Sequence, residues 1–229
     1  MKISVSKSEV MILSRLPREC ALHVSGAPLA RVEKFKYLGI SFASDGKRDG
    51  EIGRRIGASA AVMQQLRRCV VVKRELSLRT KLSIYMSVYR PALTYGHELW
   101  VMTERVRSRV QAAEMRFLRS MVGLSLLDRV RSSDIREFLE IEPLLLWVER
   151  SQLRWFGHLI RMPPDRLVKR VFTECPIGRR PRGRPRMRWR DYIATLAEER
   201  LGIPIEGLED TARERDVWAE QLSLLPPRP

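Results

Sequence analysis

Val106, Val110, Ala113, Phe117 and Met121 return at steps of four and three residues, a period that one face of a helix satisfies and a strand cannot. Thr103 stands where a helix of that phase needs an N-cap, and Arg105, Arg107, Arg109, Arg116 and Arg119 fall mostly toward solvent. The same logic extends in both directions. Asp49 caps a helix through "EIGRRIGASAAVMQQLRRCV", and Ser77 caps "LRTKLSIYMSVYRPALTYGHELW", which must kink or break at Pro91. A shorter helix, "SDIREFLEI", follows with Ser132 or Ser133 as cap, and Pro143 stops it.

Pro143 also suits the first turn of the next helix, "LLLWVERSQLRWFGHLIRM". On its wheel Arg150, Arg154 and Arg161 form a narrow basic stripe with His158 at the border, opposite Val148, Trp155, Leu159 and Met162. Gly157 lies inside the stripe. A mid-helix glycine costs about 1 kcal/mol against alanine, so either another backbone approaches there or the glycine is tolerated on a solvated face. The stretch "DYIATLAEERLG" is again helical, and the more acidic segment from Glu206 to Leu222, with Trp218 and Leu222 on one face, is expected either to fold back on the basic part or to end the domain.

Ahead of Lys47 the pattern changes to short β-prone runs, "EVMILS", "CALHVS" and "KFKYLGISFAS", separated by Pro17, by Gly26 to Pro28 and by Asp45-Gly46. In the third run Phe35 and Tyr37 face one side and Lys34 and Lys36 the other, with Leu38, Ile40 and Phe42 continuing the lysine face. Gly39, where the pattern changes, marks a bulge or a close approach by another backbone, or else an ordinary half-buried edge hairpin. The expected fold is therefore mainly α: a small N-terminal antiparallel β-hairpin element (1–48), a helical bundle (49–143) and a basic helical C-terminal region (144–229).

Charge narrows the function. The 229 residues hold 43 Lys+Arg against 27 Asp+Glu, a net +16, which suits a polyanion partner. Seven arginines, Arg179, Arg180, Arg182, Arg184, Arg186, Arg188 and Arg190, lie in "IGRRPRGRPRMRWRDY" with Gly and Pro keeping the segment (178–190) extended. Within it "RGRP", Arg182 to Pro185, resembles the core of an AT-hook, which lies in a narrow A·T minor groove; nonspecific phosphate binding and nuclear targeting are the other readings.

Other chemistries lack their residues. No Asp-Asp pair or strand-borne carboxylate pair suits a two-metal site, and Glu198-Glu199 and Glu209-Asp210 read as solvated faces. Cys20 and His23 are the only near pair of zinc-type ligands, and they point to opposite faces if one strand carries both. His97 reads as structural, and no phosphate-binding loop of the P-loop type is present. Neither a membrane-spanning run nor a secretory signal is visible, and Cys20, Cys69 and Cys175 give no disulfide framework, so an intracellular chain, nuclear or cytoplasmic, with no membrane partner is expected.

In order, "MKISVSKSEVMILS", "VEKFKYLGISFASDGKRDGEIGRRIGASAAVMQQLRR", "LSLRTKLSIYMSVYRPALTYGHELW", "EMRFLRSMVGLSLLDRVRSSDIREFL", "LRWFGHLIRMPPDRLVKRV" and "GRRPRGRPRMRWRDYI" resemble the C-terminal half of non-LTR (LINE-type) retrotransposon reverse transcriptases. The resemblance implies that the segment around Lys7 is the palm strand after the catalytic carboxylates, and that Lys34, Phe35, Lys36, Tyr37, Leu38 and Gly39 belong to a primer-grip hairpin. It implies a thumb from Asp49 to about Pro143 and, beyond Leu153, a basic region that holds template RNA, primer–template duplex or target DNA. The family's Tyr-x-Asp-Asp tetrapeptide would lie just before Met1. Polymerisation by this chain alone is therefore not expected, no cofactor is expected, and Mg²⁺ belongs only to the intact family enzyme. A remnant that binds nucleic acid, with an intact polymerase acting in trans as a possible partner, stands beside an adopted DNA- or RNA-binding module and a nonfunctional translated fragment.

Overall fold

The computed structural model describes residues 4–13, 21–46, 48–71, 73, 75–174 and 187–228. Among these the chain is mainly helical, with short strands confined to the N-terminal part, and it divides into two compact units, Met1–Ala58 and Ser59–Pro229.

In the first unit the β-prone runs contract to short ladders. β2 (His23–Val24) and β3 (Ala27–Pro28) pair antiparallel, as do β5 (Lys34–Tyr37) and β6 (Ile40–Ala43), whereas β1 (Glu9–Val10) and β4 (Ala30–Arg31) pair parallel. Lys7 ends a three-residue 3-10 turn, Val5–Lys7, rather than standing in a strand.

The run "KFKYLGISFAS" is not one strand. Tyr37 pairs with Ile40, which leaves Leu38 and Gly39 as a two-residue loop with φ of 47° and 79°. Positive φ at both positions is the type I′ pattern, whose twist matches that of the flanking strands. Gly39 is thus a turn residue and not a bulge, and its carbonyl is approached by guanidinium groups, not by a backbone. The turn also reassigns the faces. Phe35 sits opposite Phe42 and Tyr37 opposite Ile40, so Ile40 and Phe42 share the aromatic face and not the lysine face.

The first turns of α1 (Asp49–Leu66) hold this hairpin. Glu51 accepts from the Ser41 amide at 2.9 Å and from Arg54 and Arg55, and both arginines also donate to the Gly39 carbonyl. Burial raises the Glu51 carboxyl pKa, but the bonds from Arg54, Ser41 and Arg55 outweigh it and leave the pKa below the ordinary value.

In the second unit Ser77 caps α2 (Leu78–Ile84) by accepting from the Thr80 amide at 3.2 Å. The helix does not end before Pro91. A π-helical segment, Tyr85–Tyr89, leads into α3 (Arg90–Thr94), with the Arg90 amide reaching the Tyr85 carbonyl five residues back. The wider π ladder tolerates the proline that a regular α-helix would reject. It also sends Tyr85 and Tyr89 inward against Phe117 of α4 (Glu104–Met121), at ring-centroid distances of 5.7 and 4.3 Å.

Thr103 occupies the N-cap position of α4 without a side-chain cap bond, and α5 (Ser132–Phe138) starts one residue early, with Arg131 rather than a serine at its N-cap. Val106, Val110, Phe117 and Met121 are buried as their period requires, while Ala113 is half-buried. Two of the α4 arginines turn inward: Arg107 donates to the Met102 carbonyl and Arg119 to the Val130 carbonyl.

Pro143 is the N-cap of α6 (Leu144–Ile160), one position earlier than its sequence context suggests. This helix is the centre of the unit. It packs against α4, α7 (Leu167–Thr173), α8 (Trp189–Leu201), α9 (Ile205–Arg213) and α10 (Arg215–Ser223), so the acidic C-terminal segment does fold back on it. No helix of the described residues is long and apolar enough to cross a membrane.

Candidate nucleic-acid interface

The spacing that placed Arg150, Arg154, His158 and Arg161 on one stripe of α6 holds, but α10 covers part of that stripe. The contact is made at Gly157. A Cβ built there would lie 2.5 Å from Trp218 Nε1, so only glycine lets the indole settle onto the helix, where its N–H donates to the Leu153 carbonyl at 3.0 Å. The close approach read from Gly157 is real, but a side chain makes it and not a backbone, and the solvated-face reading is excluded because Gly157 is buried.

With Trp218 sunk into α6, the longer side chains on either side stand above it and define an open groove of about 900 Å³. Arg150, Arg154, Arg161 and Arg215 line it with Trp155 and His158, and Trp218 and Leu222 come from α10. Glu98 is the one carboxylate in that lining among the described residues. The groove is therefore strongly basic for its size.

The arginines divide by partner. Arg150 is tied to Glu142 and donates to the Leu225 carbonyl at 2.7 Å, and Arg161 donates to the Ala212 carbonyl near the end of α9 at 2.5 Å. Both satisfy carbonyls at the C-terminal ends of the folded-back helices, where a cation also meets a favourable helix dipole. Arg154 and Arg215 are exposed and make no side-chain bond among the described residues.

Trp155, placed by the wheel on the side opposite the arginines, instead lines the groove and lies 5.4 Å from the His158 ring. Trp155 and Arg215 are the residues that sequence reasoning missed here. The usable signal was Arg215, Trp218 and Leu222 at three- and four-residue steps, one face of a helix facing the α6 stripe.

Of the arginine-rich segment, Arg179, Arg180, Arg182, Arg184 and Arg186, with the AT-hook-like "RGRP", lie outside the described residues. Its end is placed. Arg188 is exposed at the N-cap of α8, while Arg190 pairs with Glu209 at 3.1 Å and stacks its guanidinium 5.2 Å over Phe172. Between them Trp189 donates its indole N–H to the carbonyl of Glu98 at 2.7 Å, and Glu98 lines the groove. The downstream anchor of the arginine-rich segment therefore stands at the groove.

Lys7, Lys34, Phe35, Lys36, Tyr37 and Leu38 are exposed in the first unit, and Gly39 is half-buried in the hairpin turn. Cys20 and Cys175 lie outside the described residues, Cys69 is free and exposed, and no group of three or more metal-type side chains forms among the described residues.

His97 is structural. Its Nδ1 meets the Thr94 carbonyl at 2.5 Å, its ring lies 4.7 Å from that of Trp147, and burial lowers its pKa despite the opposing pull of Glu98 and the Thr94 carbonyl.

Two buried carboxylates also organise the unit. Glu114 accepts from Tyr85 Oη at 3.1 Å, Arg136 at 2.7 Å and the Leu144 amide at 3.1 Å. Glu149 faces Arg107, Arg200 and Arg228 at 3.5, 2.9 and 2.7 Å. The signal for Glu114 was its position, four residues after Val110 and three before Phe117, on the apolar face of α4.

The chain is 28% identical over 201 residues, 85% of its own length and 71% of the relative's, to a putative uncharacterized transposon-derived protein of Caenorhabditis elegans. That similarity, spread over most of both chains, points to a transposable-element origin. No family model matches the chain. No solved structure matches it.

Proposed function

We propose that this chain is a nucleic-acid-binding remnant of a non-LTR retrotransposon reverse transcriptase, which holds RNA or DNA and does not polymerise on its own. The observation that carries the binding is the groove of α6 and α10. Beside Arg150, which is paired with Glu142, it gathers Arg154, Arg161 and Arg215 with Glu98 as the one carboxylate among its described lining residues, and the anchor of the arginine-rich segment stands beside it. Arginine is suited to this task because its planar fork meets phosphate oxygens at two points and stays charged at any physiological pH. Each phosphate neutralised releases condensed counterions, so affinity comes largely from salt-sensitive, sequence-independent contacts. The polymerase ancestry rests on the ordered motifs of the sequence, and the transposon-derived relative supports the broader origin.

In this reading the hairpin residues Lys34 to Gly39 and Lys7 add contacts from the first unit, and an intact polymerase in trans would supply Mg²⁺ and the chemistry. Gel-shift titration of RNA, duplex DNA and RNA–DNA hybrid, with primer extension in Mg²⁺ and in Mn²⁺, tests the reading. Binding without extension is expected. Extension by the purified chain contradicts the second half of the proposal, and no shift of any substrate at low salt contradicts the first. A clear preference for A·T-rich duplex over RNA would favour the AT-hook-like reading of Arg182 to Pro185.

A further inference from the structure

We infer that the groove between α6 and α10 is a site for single-stranded nucleic acid, with a base on Trp155 and phosphates on Arg154 and Arg215. This rests on the proposed nucleic-acid binding and adds its place and the strandedness of the ligand.

Cations alone would take any polyanion, so the aromatic wall decides the class. Trp155 is half-buried in the groove and backed by the His158 ring at 5.4 Å, which leaves an indole partly open beside exposed guanidinium groups. Bases stack on such a surface only when their faces are free, as in a single strand; in a duplex neighbouring bases cover them. The size agrees. About 900 Å³ of open groove is room for a short stretch of separated nucleotides.

The cations are graded for the same job. Arg150 is ion-paired with Glu142 and bonded to the Leu225 carbonyl, Arg161 is held by the neutral Ala212 carbonyl and keeps its positive charge at the groove, and Arg154 and Arg215 are free to close on phosphates. An acidic peptide could satisfy the cations but would leave the indole without a base.

The test uses the full chain with Arg179, Arg180, Arg182, Arg184 and Arg186 changed to serine, so that their charge does not dominate the measured affinity. Binding of a labelled ten-nucleotide oligothymidylate and of a DNA hairpin duplex is then compared for Arg154→Ser/Arg215→Ser, Trp155→Leu and Trp155→Phe, each checked for an unchanged circular dichroism spectrum. The arginine pair and Trp155→Leu should each weaken oligothymidylate binding about tenfold while Trp155→Phe retains it, and the duplex should change less than about threefold. The arginine variant, altered only at exposed positions, keeps the test open if Trp155→Leu misfolds.

Equal losses for duplex and single strand, no loss for either, or polyglutamate binding as tightly as oligothymidylate would each overturn the site. Failure of the unaltered chain to bind any nucleic acid would instead overturn the broader reading on which the site rests.

Discussion

Trp218 occupies the space that a side chain on Gly157 would need, its Nε1 only 2.5 Å from the position of that missing Cβ, and the same nitrogen donates to the Leu153 carbonyl. Alanine normally stabilises a mid-helix position by about 1 kcal/mol over glycine. Here Gly157→Ala should destabilise the chain by about 1–3 kcal/mol, because the indole cannot give way without losing its bond and its burial. Trp218→Ala should cost about 3–5 kcal/mol. In that background Gly157→Ala should become neutral or stabilising, a sign reversal that urea denaturation of the four proteins would detect.

Glu114 joins three parts of the second unit through Tyr85, Arg136 and the Leu144 amide. Burial, and then the Glu114 charge, push the Tyr85 hydroxyl pKa far above its ordinary value, so it remains a donor. Glu114→Leu strands the half-buried Arg136 guanidinium and the buried Leu144 amide, and should cost about 3–5 kcal/mol by chemical denaturation. A loss under about 1 kcal/mol would mean that the carboxylate is not the organising group described above.

His97 makes stability depend on pH with a definite sign. Its Nδ1 is committed to the Thr94 carbonyl, and Nε2 is buried with no partner among the described residues, so a second proton has no acceptor. The folded-state pKa is depressed below the unfolded value near 6.5, and the unfolded chain therefore binds the proton more readily. The contribution is fully present above that unfolded value and is lost as pH falls from there toward the folded pKa, with a slope of at most about 1.4 kcal/mol per pH unit. Urea midpoints measured from pH 8 to pH 5 should fall more steeply for the native chain than for His97→Gln.

Leu38 holds a φ of 47° in the β5–β6 turn, a conformation that costs an ordinary L-residue about 1–2 kcal/mol. Leu38→Gly should stabilise the hairpin by up to about 1 kcal/mol, and Gly39→Val should destabilise it by more. Amide hydrogen exchange across Lys34–Ala43 reads both changes directly.

The helices were legible because their signals are local: Ser77 before an apolar run, or five apolar residues in phase along α4. The hairpin register was not, since Leu-Gly lacks the Asn-Gly or Asp-Gly signature, and reading the run as one strand put Ile40 and Phe42 on the wrong face. The α6 stripe was half legible. Its arginines do share one side, but a helical wheel cannot show that Arg150 and Arg161 would be drawn to carbonyls seventy-five and fifty-one residues away, or that Trp218 would fill the gap at Gly157. Glu114 and Glu149 escaped for a related reason: a carboxylate on an apolar face reads as an irregularity until its distant arginines are known.

The most direct measurement is affinity for single-stranded RNA, duplex DNA and RNA–DNA hybrid across a salt series, for the native chain and for the variant with serine at 179, 180, 182, 184 and 186. Log affinity should fall linearly with log salt, by about 0.7 to 0.9 per phosphate contacted. The slope should be shallower in the variant, with the remaining binding carried by the groove. Absence of binding to all three at low salt, or affinity indifferent to salt, would contradict nucleic-acid binding by this chain.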